Sequence, residues 1–141
     1  MNTYVLMVSR VFPATHSKKG SQTFFPEKIS SGIKLHTIRG NYELWEKRIY
    51  EINSGHAKLS IRVWTGKPYK SPQQEILSTT KVGIQKLDDP KNFIFASIDG
   101  KKVDWELVAK NDGLSFEDFC DWFKVRTSEP MAVIHFTDFR Y

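Results

Sequence analysis

The sequence predicts a single α+β domain over residues 1–141, a small mixed or antiparallel β-barrel with short helices at its sides. Three observations lead there. Apolar segments of strand length follow one another without regular helical crossovers, the pattern of a meander rather than of a parallel sheet. The helical segments are few, short and individually capped. No repeat, low-complexity tract or long linker divides the 141 residues, a length usual for one domain. Ten Phe, five Tyr and four Trp supply enough bulk to fill one core.

The elements follow in order. Residues Tyr4 to Val8 are a short continuous apolar run, which suits a buried strand. From Phe12 to Gln22 the chain turns polar and basic, and SKKGSQ reads as a flexible loop or flap. TFFPEKISSG then offers Thr23 as N-cap, Pro26 in the first turn and Gly32 as stop, so a short helix is expected. YELWEKRIYEIN places Trp45, Ile49 and Ile52 on one helical face, ended by Ser54-Gly55. Lys58 to Trp64 alternates, with Leu59, Ile61 and Val63 inward. TGKPYKSPQQ is a loop.

Ile76 to Ile84 alternates again and is expected to form one strand, with another over Phe93 to Ile98. Asp99-Gly100 signals a tight turn. Asp104 caps a short helix carrying Trp105, Leu107 and Val108, broken at Asn111-Asp112-Gly113. Ser115, with Asp118 three residues on, starts the clearest helix, whose stripe is Phe116, Phe119, Cys120 and Phe123. The last strand is Ala132 to Phe136. Trp45 and Trp64 are expected in the core.

Charge and motifs narrow the function. Basic residues exceed acidic ones by five (21 − 16), which permits a polyanionic or phosphate-bearing partner without requiring one. One cysteine allows no internal disulfide and no thiolate zinc site, and Cys120 on an apolar stripe reads as a buried thiol. The four histidines lack metal-motif spacing, and no P-loop or GxGxxG occurs, so neither metal nor cofactor is expected. The opening run YVLMV lacks the features of a signal peptide, and no stretch approaches the ~20 apolar residues of a membrane span. The expected location is cytoplasmic.

The most polar stretch among the apolar segments is GIKLHTIRG, residues 32–40. Side chains alternate along a strand, so Thr37 and Arg39 share one face and His36 takes the other. Lys34 reaches the face of Thr37 only if Gly32 to Leu35 bend before the strand begins. His36 is therefore set aside, and His135 in the last strand reads as a satisfied packing residue.

KLHTIR resembles the core signature of ASCH-domain proteins, through Gly32, Lys34, Thr37, Ile38 and Arg39 after a short helix. AKNDGLSFEDFCDWF followed by VIHF is similar in layout to the same family, especially to its bacterial and phage members. Residues match in two islands, roughly 29–39 and 109–136; elsewhere the likeness is of element order. The resemblance implies a PUA-like barrel whose cleft binds RNA, or a modified nucleoside or nucleotide. A guanidinium such as that of Arg39 can clamp a phosphate or a carbonyl there. One bacterial branch is similar to acetylcytidine amidohydrolases. Carried over, its catalytic group falls on Lys34, Thr37 and Asp112, although those enzymes use Glu where this chain has the shorter Asp.

Each residue also has an ordinary reading. Lys34 can be a solvated lysine, Thr37 a β-former, Arg39 an ion-pair partner, and Asp112 a helix-end residue beside Gly113. Lys67, Tyr69 and Lys70, in the second long loop, suit phosphate contact and base stacking, and equally suit any mobile polar loop. Three functions are thus expected in order: nucleoside or RNA binding, amide hydrolysis on N-acylated nucleosides, and a protein-interaction module without such a ligand.

Overall fold

The computed structural model describes residues 1–124 and 127–141. In chain order the elements are β1 (Asn2–Met7), α1 (Phe25–Ser30), β2 (His36–Arg39), α2 (Tyr42–Asn53), β3 (Ala57–Trp64) and β4 (Gln73–Thr79). Then follow β5 (Gly83–Asp88), β6 (Ser97–Ile98), α3 (Trp105–Asn111), α4 (Phe116–Trp122) and β7 (Met131–His135). The fold is mixed α+β.

The strands form two sheets, not one closed barrel. The first has order β1-β3-β4, with β1 and β3 parallel and β3 and β4 antiparallel. The second has order β2-β7-β5-β6, antiparallel throughout. Helix α2 packs on β3 of one sheet and on β5 and β7 of the other. Its apolar face, Trp45, Ile49 and Ile52, is buried there with Leu59, Ile61 and Val63 of β3 and Val133 and Ile134 of β7. The helix thus joins the sheets through one core. Between the ends of β1 and β2 the Arg39 guanidinium donates to Met7 O at 2.8 Å.

Other expectations are refined. The single strand over 76–84 is two: β4 and β5 lie in different sheets, separated by a turn at Thr80–Val82 that Asn53 pins through Val82 N and O. The strand over 93–98 shrinks to Ser97–Ile98, because Ile94 and Phe95 face solvent while Phe93 stacks on Trp105. Thr23 is not the N-cap of α1; Phe24 holds that position, and Thr23 Oγ1 accepts from Phe25 N at 3.1 Å. The 12–22 loop is pinned rather than free. His16 is buried against Asp118 O, Ser17 N donates to Asp121 Oδ2 and Lys18 Nζ to Asp118 Oδ2, all on α4. Trp45 is in the core, whereas Trp64 is half-buried against the Tyr69 ring. Among the described residues no helix is long and apolar enough to cross a membrane.

Candidate functional site

Two helix ends build the site. Helix α1 closes with Gly32 in the left-handed region at φ +78°, where a side chain would cost energy. Gly32 N donates to Ile29 O and Ile33 N to Lys28 O, the paired bonds of a Schellman cap. Lys34 N also reaches Lys28 O at 2.9 Å. The chain therefore bends from 32 to 35 before β2 starts at His36, and the bend turns Lys34 inward.

Helix α3 ends in the same way. Gly113 stands at φ +84°, Gly113 N donates to Lys110 O and Leu114 N to Ala109 O. A helix C-terminus still leaves carbonyls without partners. Here the α1–β2 segment supplies donors: Leu35 N to Asn111 O at 2.7 Å, Lys34 Nζ to Asp112 O at 2.7 Å and Lys28 Nζ to Gly113 O at 2.7 Å. Two cations thus sit at the negative end of α3, where a helix favours them.

Lys34 is one of the most buried side chains of the protein. Its ammonium also donates to Asp112 Oδ1 at 3.0 Å and lies 4.2 Å from the centre of the Phe25 ring. Burial lowers its pKa from the ordinary 10.5 to about 8; Asp112 pushes it back up, and Arg39 and Lys28 lower it further. Burial by itself raises the Asp112 carboxyl, but the Lys34 ammonium and the His36 hydrogen bond outweigh that and hold it below the ordinary carboxylate value. Asp112 is therefore an anion at neutral pH, not an acid with a proton to give.

Thr37 and Arg39 do share a face. Arg39 NH1 donates to Thr37 Oγ1 at 2.7 Å, while NH2 holds Met7 O. Burial lowers the Arg39 guanidinium from its ordinary value, and Asp112 opposes the fall. Lys34, Thr37, Arg39 and Asp112 all line one cavity of about 350 Å³. Its apolar walls include Phe25, Pro13, Trp122 and Phe123, contributed by α1, the pinned loop and the end of α4. The four residues expected from the sequence as the core of the site are brought together. Lys67, Tyr69 and Lys70 are not among the cavity's lining; they sit on the exposed β3–β4 loop, with Tyr69 packed on Trp64.

His36 is not among the cavity's lining, as its place on the strand predicts. It does face away from Thr37, but that face is not inert: His36 Nδ1 lies 3.3 Å from Asp112 Oδ1, and Nε2 lies 2.6 Å from the Tyr141 hydroxyl. Asn111 Nδ2 donates to the same hydroxyl at 3.2 Å. The alternation of the strand was readable, yet no local signal says that Asp112 and Tyr141 come to meet His36. His135 is only half satisfied: Nε2 pairs with Gln85 Oε1 at 2.9 Å, and buried Nδ1 has no partner. Burial lowers its pKa to about 3, with His36 and Arg140 adding to the fall, so the ring is neutral. Among the described residues no group of three His, Cys, Asp or Glu side chains is placed to hold a metal ion.

The chain matches no family model, no curated protein and no solved structure.

Proposed function

We propose that this chain is an ASCH-type, PUA-like domain that takes one nucleoside or nucleotide unit, free or within RNA, into the cavity of Lys34, Thr37 and Arg39. The observation that carries the reading is Lys34 itself, a lysine withdrawn from water and turned into a cavity beside a second cation. Burying an ammonium is costly and is rarely found without a task for it. Two cations to one anion line the cavity, which suits a ligand that brings phosphate or carbonyl oxygens. The walls of Phe25, Trp122 and Phe123 suit a flat base. A volume of about 350 Å³ falls at the small end of ligand pockets and fits a single unit better than a strand.

Calorimetric titration with cytidine, N4-acetylcytidine and cytidine monophosphate tests this. Saturable binding that Lys34→Met abolishes is expected; no heat with any of them and none with a short RNA overturns it. If RNA binds through a wider surface instead, affinity falls steeply with salt and survives Lys34→Met.

A second reading, amide hydrolysis, is favoured by one contact. The guanidinium on Thr37 Oγ1 stabilises negative charge on that oxygen, and a lysine near pKa 8 has a usable neutral fraction. In this reading Thr37 attacks the acyl carbonyl and its proton passes to neutral Lys34. The lysine then delivers that proton to the departing amine, and water releases the acyl group from Thr37. Asp112, already ionised, orients Lys34 rather than acting as acid. Chromatography for cytidine after incubation with N4-acetylcytidine tests it, and absence of turnover at high protein concentration removes it while leaving binding intact.

A further inference from the structure

Beyond the cavity lining, a line of hydrogen bonds leaves Asp112 on the side away from Thr37. It runs from Asp112 Oδ1 to His36 Nδ1, from His36 Nε2 to the Tyr141 hydroxyl, and from that oxygen to Asn111 Nδ2. The protons fit only one neutral arrangement. An ionised carboxylate can only accept, so His36 Nδ1 carries hydrogen. Neutral His36 must then accept at Nε2, and Tyr141 O–H is the donor. The tyrosine oxygen in turn accepts from the Asn111 amide. Burial raises the Tyr141 pKa, with the Asn111 bond opposing and Asp112 adding, which keeps the phenol protonated.

We propose that His36 and Tyr141 are positioning residues: the Tyr141 hydroxyl, by donating to Nε2, supports the ring tautomer that the Asp112 carboxylate selects, and His36 holds that carboxylate in line with the Lys34 ammonium. The inference rests on the reading of Lys34 as the working group of the cavity. Pairing of β2 with β7 sets His36 opposite His135, and the segment after β7 brings the Tyr141 ring back beside both. His36 is on β2 and Tyr141 closes the chain after β7, and Tyr141 is tied down again by Gln85 through its own N and O. Tyr141 is anchored twice, and Asp112, the C-cap of α3, is held by its N–H on Val108 O and Ala109 O, so His36 is clamped between two fixed points.

The groups facing this line are few. Lys34 meets Asp112 from α3, Arg39 from β2 and Lys28 from α1. His36 meets His135 on β7, with ring centres 5.3 Å apart, besides Asp112 and Tyr141. Of these, Asp112 alone favours the charged form of Lys34. Losing its alignment must move the lysine's titration downward.

The test is NMR of 13C-lysine-labelled, unliganded protein across a pH series, with the Lys34 signal assigned by its loss in Lys34→Met. The wild type is expected to titrate near pH 8. Tyr141→Phe deletes one oxygen and should lower the midpoint by about 1 pH unit. In His36→Asn the amide nitrogen falls where Nδ1 stands, so the wild-type midpoint should persist. In His36→Gln it falls where Nε2 stands, so the midpoint should drop as in Tyr141→Phe. An unmoved or raised midpoint in folded Tyr141→Phe overturns the proposal, as does His36→Asn falling as far as His36→Gln. Tyr141→Phe carries the test if the His36 variants lose their fold. No ligand enters the measurement, so failure of nucleoside binding and failure of this inference are read separately.

Discussion

Lys34 donates to both the main-chain and the side-chain oxygen of Asp112, at 2.7 and 3.0 Å, with both residues shut away from solvent. The pair joins the end of α1 to the end of α3 and closes one wall of the cavity. Removing one partner of a buried pair leaves the other uncompensated, whereas removing both need not. Lys34→Met should therefore destabilise the protein by about 3 kcal/mol. The double variant Lys34→Met with Asp112→Leu should be less destabilised than the sum of the singles. Urea unfolding of the four proteins measures this; strict additivity would show that the pair is not coupled.

The same lysine makes stability depend on alkaline pH. Its folded pKa is about 8, against 10.5 for an unfolded lysine. Between those values the unfolded chain holds more protons, so stability rises with pH through this window. The gain is on the order of 3 kcal/mol at completion and is absent below pH 8. Subtracting the Lys34→Met curve isolates it, and a flat difference from pH 7.5 to 10 would contradict the assignment.

His135 works in the acid range. Its folded pKa is about 3 and its ordinary value 6.5. The unfolded ring takes a proton below 6.5 and the buried one does not. Its contribution is thus present above pH 6.5 and is lost as pH falls toward 3. His135→Phe should flatten the fall in stability between pH 6 and 4, read from thermal unfolding.

Arg39 spans three acceptors, Thr37 Oγ1, Ile38 O and Met7 O, with one planar fork. Lysine has a single point of charge and cannot hold all three in that geometry. Arg39→Lys should cost ~1–3 kcal/mol and weaken nucleoside binding about tenfold. Thr37→Ala should leave binding within a few-fold and remove any amide hydrolysis. Where hydrolysis is present, its rate should rise with pH through about 8 as Lys34 loses its proton.

Gly113 tests the α3 cap. A methyl group there would stand 3.3 Å from Lys34 Cβ and 3.4 Å from Phe25 Cε1, on a backbone at φ +84°. Gly113→Ala should cost ~1–2 kcal/mol from backbone strain and crowding together. It should also displace Lys34, seen as a shifted lysine titration in the folded protein.

Much of this was legible in the residues. Trp45, Ile49 and Ile52 fixed α2 and its buried face, because 3.6-residue spacing admits no other reading of that length. Asp104 and Ser115 marked the starts of α3 and α4, and each accepts the expected backbone N–H. The alternation from Ile76 to Ile84 misled, because period two persists across a turn that sends β4 and β5 to different sheets.

At the site the division is clearer still. The sequence by itself determined that Gly32 bends the chain, that Lys34 precedes β2, and that Thr37 and Arg39 share a face. These are local consequences of a helix stop and of strand alternation. Only the tertiary structure decided what the opposite face of β2 meets. His36 meets Asp112 and Tyr141 across separations of 76 and 105 residues. Such meetings are set by which helix end and which chain end pack against the strand, and that follows from closure of the whole core, not from any periodicity around residue 36.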